Sequence, residues 1–323
     1  MRDHGGNIDT AMARFGGTDW IDLSTGINRS PYPVSDIPMS DWTMLPTRTA
    51  MSDTVQAARV AYHTKAPMLA TAGAQAAIQM IPRLTRPGCA RVLGPTYNEH
   101  AAALRAAGWQ VQEVTHLDQL DGADLAVVVN PNNPDGQSFA PAALRALADR
   151  TRLVVDESFC DPYPDLSLAP DAGQHGLIVL RSFGKFYGLA GLRLGFVVGS
   201  SEDIAQLSDM AGPWPVSGAA LRIGTQALKD QDWAQSTIAR LQRDTAQADG
   251  LAQSAGWTIL GGTALFRLYH TPDAKAAQNR LARHQIWSRI FPYSDHWLRL
   301  GLPGSAAEWQ RLADALHDAG SVV

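Results

Sequence analysis

The stretch LIVLRSFGKFYGLAGLRLGFVV, residues 177–198, sets two apolar runs, 177–181 and 192–198, on either side of a glycine-rich loop carrying Lys185. Runs this short and this predominantly apolar read as strands buried on both faces of a sheet. The same texture recurs upstream. Residues 90–94, 125–130 and 153–157 read as strands, and 98–107 and 141–149 read as helices between them. Apolar strands separated by helices predict a mostly parallel sheet in an α/β domain with helices on both faces. Beyond Pro213-Trp214-Pro215 the texture changes. Helices are expected over 218–228, 232–255, 272–284 and 306–319, and strands over 257–260, 264–269, 286–290 and 297–300. That pattern suits a smaller α+β domain, with the Pro-Trp-Pro segment as the hinge.

Composition narrows the function classes. A hydrophobic content of 45% supports a packed core. The 27 basic and 31 acidic side chains are scattered, which argues against a nucleic-acid surface or a polybasic membrane anchor. The opening residues contain no apolar run, and internal apolar runs such as 125–129 fall far short of the ~20 residues of a membrane span. A soluble cytoplasmic protein is expected. Cys89 and Cys160 are far apart and in no metal-ligand spacing, so they read as reduced thiols and no metal is expected.

In an open α/β sheet a ligand sits beyond the carboxyl ends of the strands, so the loops there are where chemistry is sought. Lys185 is one of only four lysines and lies among aromatic and small residues. Partial desolvation there lowers its pKa and makes it nucleophilic toward an aldehyde. Ser182 and Arg193 flank it with a hydroxyl and a guanidinium suited to a phosphate. Asp156 ends a buried run and needs a cationic partner, whereas Glu157 reads as structural or solvent-facing. Asn130-Pro131-Asn132-Asn133-Pro134-Asp135-Gly136 is a turn whose amides can meet a ligand hydroxyl. Gly73, Ala74 and Gln75 open a helix and would present main-chain N–H groups to a phosphate. Tyr97, just past a strand, can stack on a flat ring. Taken singly, each of these also fits a plain structural role.

Together and in order, these motifs resemble the fold-type I pyridoxal-phosphate (PLP) enzymes of the class I/II aminotransferase superfamily, over about residues 22–316. The resemblance implies the aspartate-aminotransferase fold. Residues 1–28 would form an N-terminal arm closing over the substrate, 29–215 a large PLP-binding domain and 216–323 a small domain. It implies that Lys185 holds the cofactor through its aldehyde. Asp156 would pair with the ring nitrogen, Asn133 would bond the ring hydroxyl and Tyr97 would stack on the ring. Gly73, Ala74, Gln75, Ser182 and Arg193 would hold the phosphate. Arg299 matches the arginine that grips the substrate carboxylate. The resemblance also implies a homodimer, since active sites of this fold lie at a subunit interface.

Two branches compete: histidinol-phosphate aminotransferases and the threonine-phosphate decarboxylases of cobalamin biosynthesis. The opening His4-Gly5-Gly6-Asn7 and the segment from Asp22 to Asn28 are similar to the decarboxylase family, in which they help bind the substrate phosphate. By that likeness His4, Gly5, Gly6 and Asn28 would bind the substrate. Phe159 stands where many aminotransferases carry tyrosine, and residues 181–193 resemble the decarboxylase version of the lysine loop. Two departures are Gly184, in place of Ser or Thr, and Leu45, where many relatives use tyrosine to reach the neighbouring subunit's cofactor phosphate. Arg289 aligns with a phosphate-binding arginine in both branches and so supports a phosphorylated amino acid without choosing the reaction. Decarboxylation of O-phospho-L-threonine is the expectation. An aminotransferase, or more remotely a non-catalytic binding protein of the same fold, stands as the alternative.

Overall fold

The computed structural model describes residues 4–174 and 176–318, and divides into two compact units. The larger comprises residues 32–133 and 137–234, and the smaller the N-terminal segment to Pro31, Pro134–Gly136 and the chain from Gln235 onward. The change of unit falls inside the helix Gln231–Ser254 rather than at Pro213–Pro215. The reason is helix Gly218–Lys229, which packs along helix Arg48–Ala61 in the larger unit. The Thr54 hydroxyl lies 2.7 Å from that of Thr225 and donates to Leu221 O. Gly224 meets Leu194 so closely that a Cβ would come within 2.4 Å of it.

Seven strands form the sheet of the larger unit: β1 (Met68–Ala72), β2 (Cys89–Leu93), β3 (Gln110–Val114), β4 (Leu125–Val129), β5 (Leu153–Asp156), β6 (Ile178–Ser182) and β7 (Leu194–Val198). Their order is β1-β7-β6-β5-β4-β2-β3. All run parallel except β7, which is antiparallel to both its neighbours. The five strands read from the apolar runs are present; β1 and β3 were not expected. β1 is alanine-rich, and β3 lies at an edge where Gln110, Gln112 and Glu113 face water, so neither carries an apolar run.

The central strands are buried on both faces. Val127, Val154, Ile178, Leu180 and Val197 share one core with the helices Gly73–Met80, Glu99–Ala106 and Ser201–Ala211. Val128, Val155, Val179 and Phe196 are fully buried between those positions, as the alternation of side chains in a strand requires. This topology positions the site. The carboxyl ends of β1, β2, β4, β5 and β6 lie along one edge, and the reversed β7 brings its amino end, preceded by Arg193, to the same edge.

In the smaller unit a four-stranded antiparallel sheet runs in the order Arg289–Phe291, Ser294–Gly301, Phe266–His270, Thr258–Thr263. The N-terminal segment belongs to this unit, its strand Ile21–Asp22 pairing in parallel with Ile286–Trp287. Leu23 continues the ladder, donating to Trp287 O at 2.8 Å and accepting from Gly301 N at 2.7 Å. Ile21, Leu23, Tyr269, Leu281, Leu298 and Leu312 share its core. Cys160 is buried and Cys89 half-buried, both as free thiols, and burial pushes the Cys160 thiol far above its usual range. Among the described residues no helix is long and apolar enough to cross a membrane.

Candidate active site

At the carboxyl edge of the seven-stranded sheet, Gly73, Ala74, Gln75, Tyr97, Asn133, Asp156, Ser182, Lys185 and Arg193 line one pocket, joined by Ser158, Phe159 and Ala190. Every residue expected to touch the cofactor is in this lining. Gly73, Ala74 and Gln75 share the first turn of one helix and the others come from the ends of strands or the loops after them, which is why residues more than 100 positions apart in the chain converge.

Asp156 ends β5 with Val129 on one side and Leu180 on the other, and it is 2% exposed. Burial works to raise the pKa of its carboxyl, but three donors outweigh it and hold the carboxyl below the usual carboxylate range. His100 Nε2 lies 2.8 Å from Oδ2, and Ser158 gives Oδ1 both its hydroxyl at 2.5 Å and its main-chain N–H at 2.9 Å. An ionised acid held this way at the pocket floor suits a protonated ring nitrogen. Neither His100 nor Ser158 was singled out from the sequence. His100 is three residues after Tyr97, across the start of helix Glu99–Ala106, and the two rings meet edge to face at 6.2 Å. That spacing was the available signal, but it named no partner.

Glu157, the next residue, is fully buried, so the solvent-facing reading does not hold and the structural one does. It accepts from Arg181 at 2.8 Å, from the Ser167 hydroxyl at 2.6 Å and from Leu168 N at 2.6 Å. Arg181 also serves Asp161 at 2.9 Å.

The part of the lining expected to hold a phosphate combines main chain, the Ser182 hydroxyl and one cation. Gly73 has φ +72°, and a Cβ there would come within 2.8 Å of Arg193 Nη2. Only glycine leaves the main chain bare against that guanidinium. Arg193 is itself left-handed at φ 54° and donates from Nη1 to Ala190 O at 3.1 Å. Gly195 fits against Ala74 N, with 2.3 Å to a hypothetical Cβ. The helix Gly73–Met80 opens here, so its first N–H groups lie with the Ser182 and Arg193 side chains in one lining. Lys185 Nζ lies 5.8 Å from the centre of the Phe159 ring. Of the asparagines in the turn after β4, Asn130 is tied to Phe139 and Asn132 to Thr96 and Pro95, while Asn133 lines the pocket. The donor set therefore fits PLP: a lysine for the aldehyde, an ionised acid for the ring nitrogen, an amide for the ring hydroxyl and a cradle for the phosphate.

A second hollow, within the smaller unit, is lined by His4, Gly5, Ser24, Ser288, Arg289 and His296 among others. Arg289 and Arg299 are directly opposite each other on neighbouring antiparallel strands. Arg299 is 6% exposed, donates to Ser24 O at 2.6 Å and lies over the Phe266 ring. Burial and the facing Arg289 depress its pKa to about 10. Like charges opposite one another on strands repel unless an anion joins them. Gly5 is required by close approach to Ser24 O. Gly6 and Asn28 do not line the hollow: the Gly6 N–H is taken by Ser24 Oγ at 2.7 Å, and Asn28 Oδ1 accepts from Arg240 at 2.8 Å and from Ser30 N at 3.0 Å.

Comparison with known proteins agrees with this geometry. Residues 46–316 match the family described as aminotransferase class I and II, and the chain belongs to that family and has its PLP fold. Within it, the chain is 46% identical to a protein of Sinorhizobium sp named threonine-phosphate decarboxylase, over 97% of each chain. It is 42% identical to the protein of that name from Pseudomonas aeruginosa, over 98% of this chain and 97% of the other. The crystal structure of histidinol-phosphate aminotransferase from Sinorhizobium meliloti, in complex with pyridoxal-5'-phosphate, superposes with a TM-score of 0.78 at 21% identity, covering 95% of this chain and 92% of that one.

Proposed function

We propose that this protein is a PLP-dependent threonine-phosphate decarboxylase, converting O-phospho-L-threonine to CO2 and (R)-1-amino-2-propanol O-phosphate, a step of cobalamin synthesis. The observation that carries the reading is the cross-strand pair Arg289 and Arg299, in a chain whose full-length relatives bear that name. Two arginines opposite one another on neighbouring strands, Arg289 in the lining of the hollow and Arg299 buried beside it, suit a substrate bearing two anionic groups, a carboxylate and a phosphate.

Bound at the pocket, PLP serves as the electron sink for the bond broken at the substrate Cα. The side chains do the rest. Lys185 would supply the amine that holds the cofactor aldehyde and would deliver the proton that replaces CO2 at Cα. Asp156, kept ionised by His100 and Ser158, holds a proton on the ring nitrogen. Asn133 would orient the ring through its hydroxyl and Tyr97 would stack on the ring. The N–H groups of Gly73, Ala74 and Gln75, with Ser182 and Arg193, fix the phosphate end. Arg299 grips the substrate carboxylate, and Arg289 with His4 receives its phosphate. Gly5 lets the arm approach closely. Gly6 and Asn28, in this reading, shape the arm through Ser24 and Arg240. Which Cα bond breaks depends on how these charges turn the substrate, so the reaction is set by positioning.

We further infer a cytoplasmic homodimer. Met39, Trp42, Met44 and Leu45 are each more than 60% exposed within seven residues, a concentration of apolar surface that suits a second copy of the chain. Sedimentation of the holoenzyme should give twice the chain mass. For the reaction, purified protein with PLP and O-phospho-L-threonine should release CO2 and aminopropanol phosphate in equal amounts; the absence of both would refute the assignment.

A further inference from the structure

The side chain of Gln75 lines the cofactor pocket, yet both ends of its amide have partners inside the protein. Nε2 donates to Glu99 Oε2 at 3.1 Å, and Oε1 accepts from the Tyr97 hydroxyl at 3.2 Å. Glu99 is 6% exposed and does not line the pocket. It is the first residue of helix Glu99–Ala106, where a carboxylate also meets the favourable end of the helix dipole.

Glu99 Oε2 accepts from the Gln75 NH2, which leaves the amide oxygen for Tyr97. Glu99 therefore dictates which way the Gln75 amide faces, with its NH2 toward Glu99 and its oxygen toward Tyr97. The Tyr97 hydroxyl must then donate. We infer that Glu99 is a positioning residue that fixes the Tyr97 ring through Gln75, and that Gln75 serves the phosphate through its main-chain N–H rather than its amide. The chain Glu99–Gln75–Tyr97 would otherwise flip, since a neutral partner at 99 permits both amide orientations. Reversal turns an NH2 toward Tyr97, makes its hydroxyl an acceptor and loosens the ring that faces the cofactor. The cofactor part of this inference rests on the function proposed above; the hydrogen-bond chain does not.

Glu99→Gln keeps the size and removes the charge. In the holoenzyme it should alter the visible circular dichroism of bound PLP and lower kcat about fivefold, the value of one hydrogen bond. In a Tyr97→Phe background the same change should have almost no further effect on either. Equal effects of Glu99→Gln in both backgrounds, or a fall in Tm with the dichroism unchanged, would overturn the inference. If Glu99→Gln does not fold, Gln75→Met removes both bonds and the same masking by Tyr97→Phe is required. In the apoprotein, carbon-13 at the tyrosine ring Cζ gives an independent readout. Glu99→Gln should move the signal that Tyr97→Phe deletes; an unmoved signal refutes the chain even if the cofactor assignment stands, and a moved signal supports it even if that assignment fails.

Discussion

Asp156 and Glu157 are neighbours in sequence, equally buried at the end of β5, and their surroundings are opposites. Asp156 lines the pocket and meets His100 and Ser158, which favour its charged form enough to overcome burial. Glu157 meets Arg181, but that guanidinium is shared with Asp161, and burial leaves both Glu157 and Asp161 with raised pKa values. One acid is held ready to carry charge toward a ligand. The other fastens the segment that carries Ser158 and Phe159. The difference shows that burial alone does not mark a functional carboxylate. What its partners can still give or take does.

The comparison can be broken most severely at the cofactor lysine, on which the role of Asp156 depends. Lys185→Ala should abolish both turnover and the absorbance of lysine-bound cofactor; retained turnover would remove the basis for the site. Next, Asp156→Ala should lower kcat on the order of a hundredfold or more with a small change in Tm. Glu157→Ala should do the reverse, lowering Tm while kcat in the folded fraction changes little, because it breaks a buried pair worth about 3–5 kcal/mol when one partner is removed. Equal losses of kcat would erase the distinction. In the smaller unit, Arg289→Ala should raise KM for O-phospho-L-threonine by about ten- to a hundredfold, the range of a charge-assisted hydrogen bond, with cofactor affinity unchanged.

The pH dependence sharpens the contrast because the two signs differ. The folded pKa of Asp156 is lowered, so the stability it contributes is present above its unfolded pKa and is lost as pH falls through the folded value. The folded pKa of Glu157 is raised, so its contribution is present below its unfolded pKa and is lost as pH rises through the folded value. Urea unfolding followed from acid to neutral pH should show Asp156→Asn flattening the first slope and Glu157→Gln the second. The smallest effect is expected at the arm, where His4→Ala should raise KM severalfold and leave cofactor binding alone. An unchanged KM would remove His4 from the phosphate site.

The sequence made the cofactor side legible because its residues sit in turns and loops directly after apolar runs. Lys185, Asp156 and Asn133 could be placed at one sheet edge once the strands were recognised, whereas Gly73 was legible only as a helix start. β1 and β3 escaped because alanine and an exposed polar edge leave no apolar run. His100, Ser158 and Glu99 escaped for a different reason. Their importance lies in partners contributed by other elements, and a side-chain hydrogen bond such as His100 to Asp156, 56 residues apart, leaves no local pattern. The Pro-Trp-Pro segment suggested a boundary, but the packing of helix Gly218–Lys229 on Arg48–Ala61, invisible to local reading, moved it to residue 234. The roles of Gly6 and Asn28 shifted likewise, because Ser24 and Arg240 occupy the groups expected to face substrate.

The central claim is that this site removes CO2 rather than exchanging an amino group. The direct measurement is turnover of O-phospho-L-threonine by the holoenzyme with 2-oxoglutarate added and withheld, while the amino form of the cofactor is followed by absorbance. The account predicts many turnovers of CO2 without any acceptor and no build-up of pyridoxamine phosphate. Turnover that stops without 2-oxoglutarate, with pyridoxamine phosphate accumulating and no CO2, would contradict it and leave an aminotransferase.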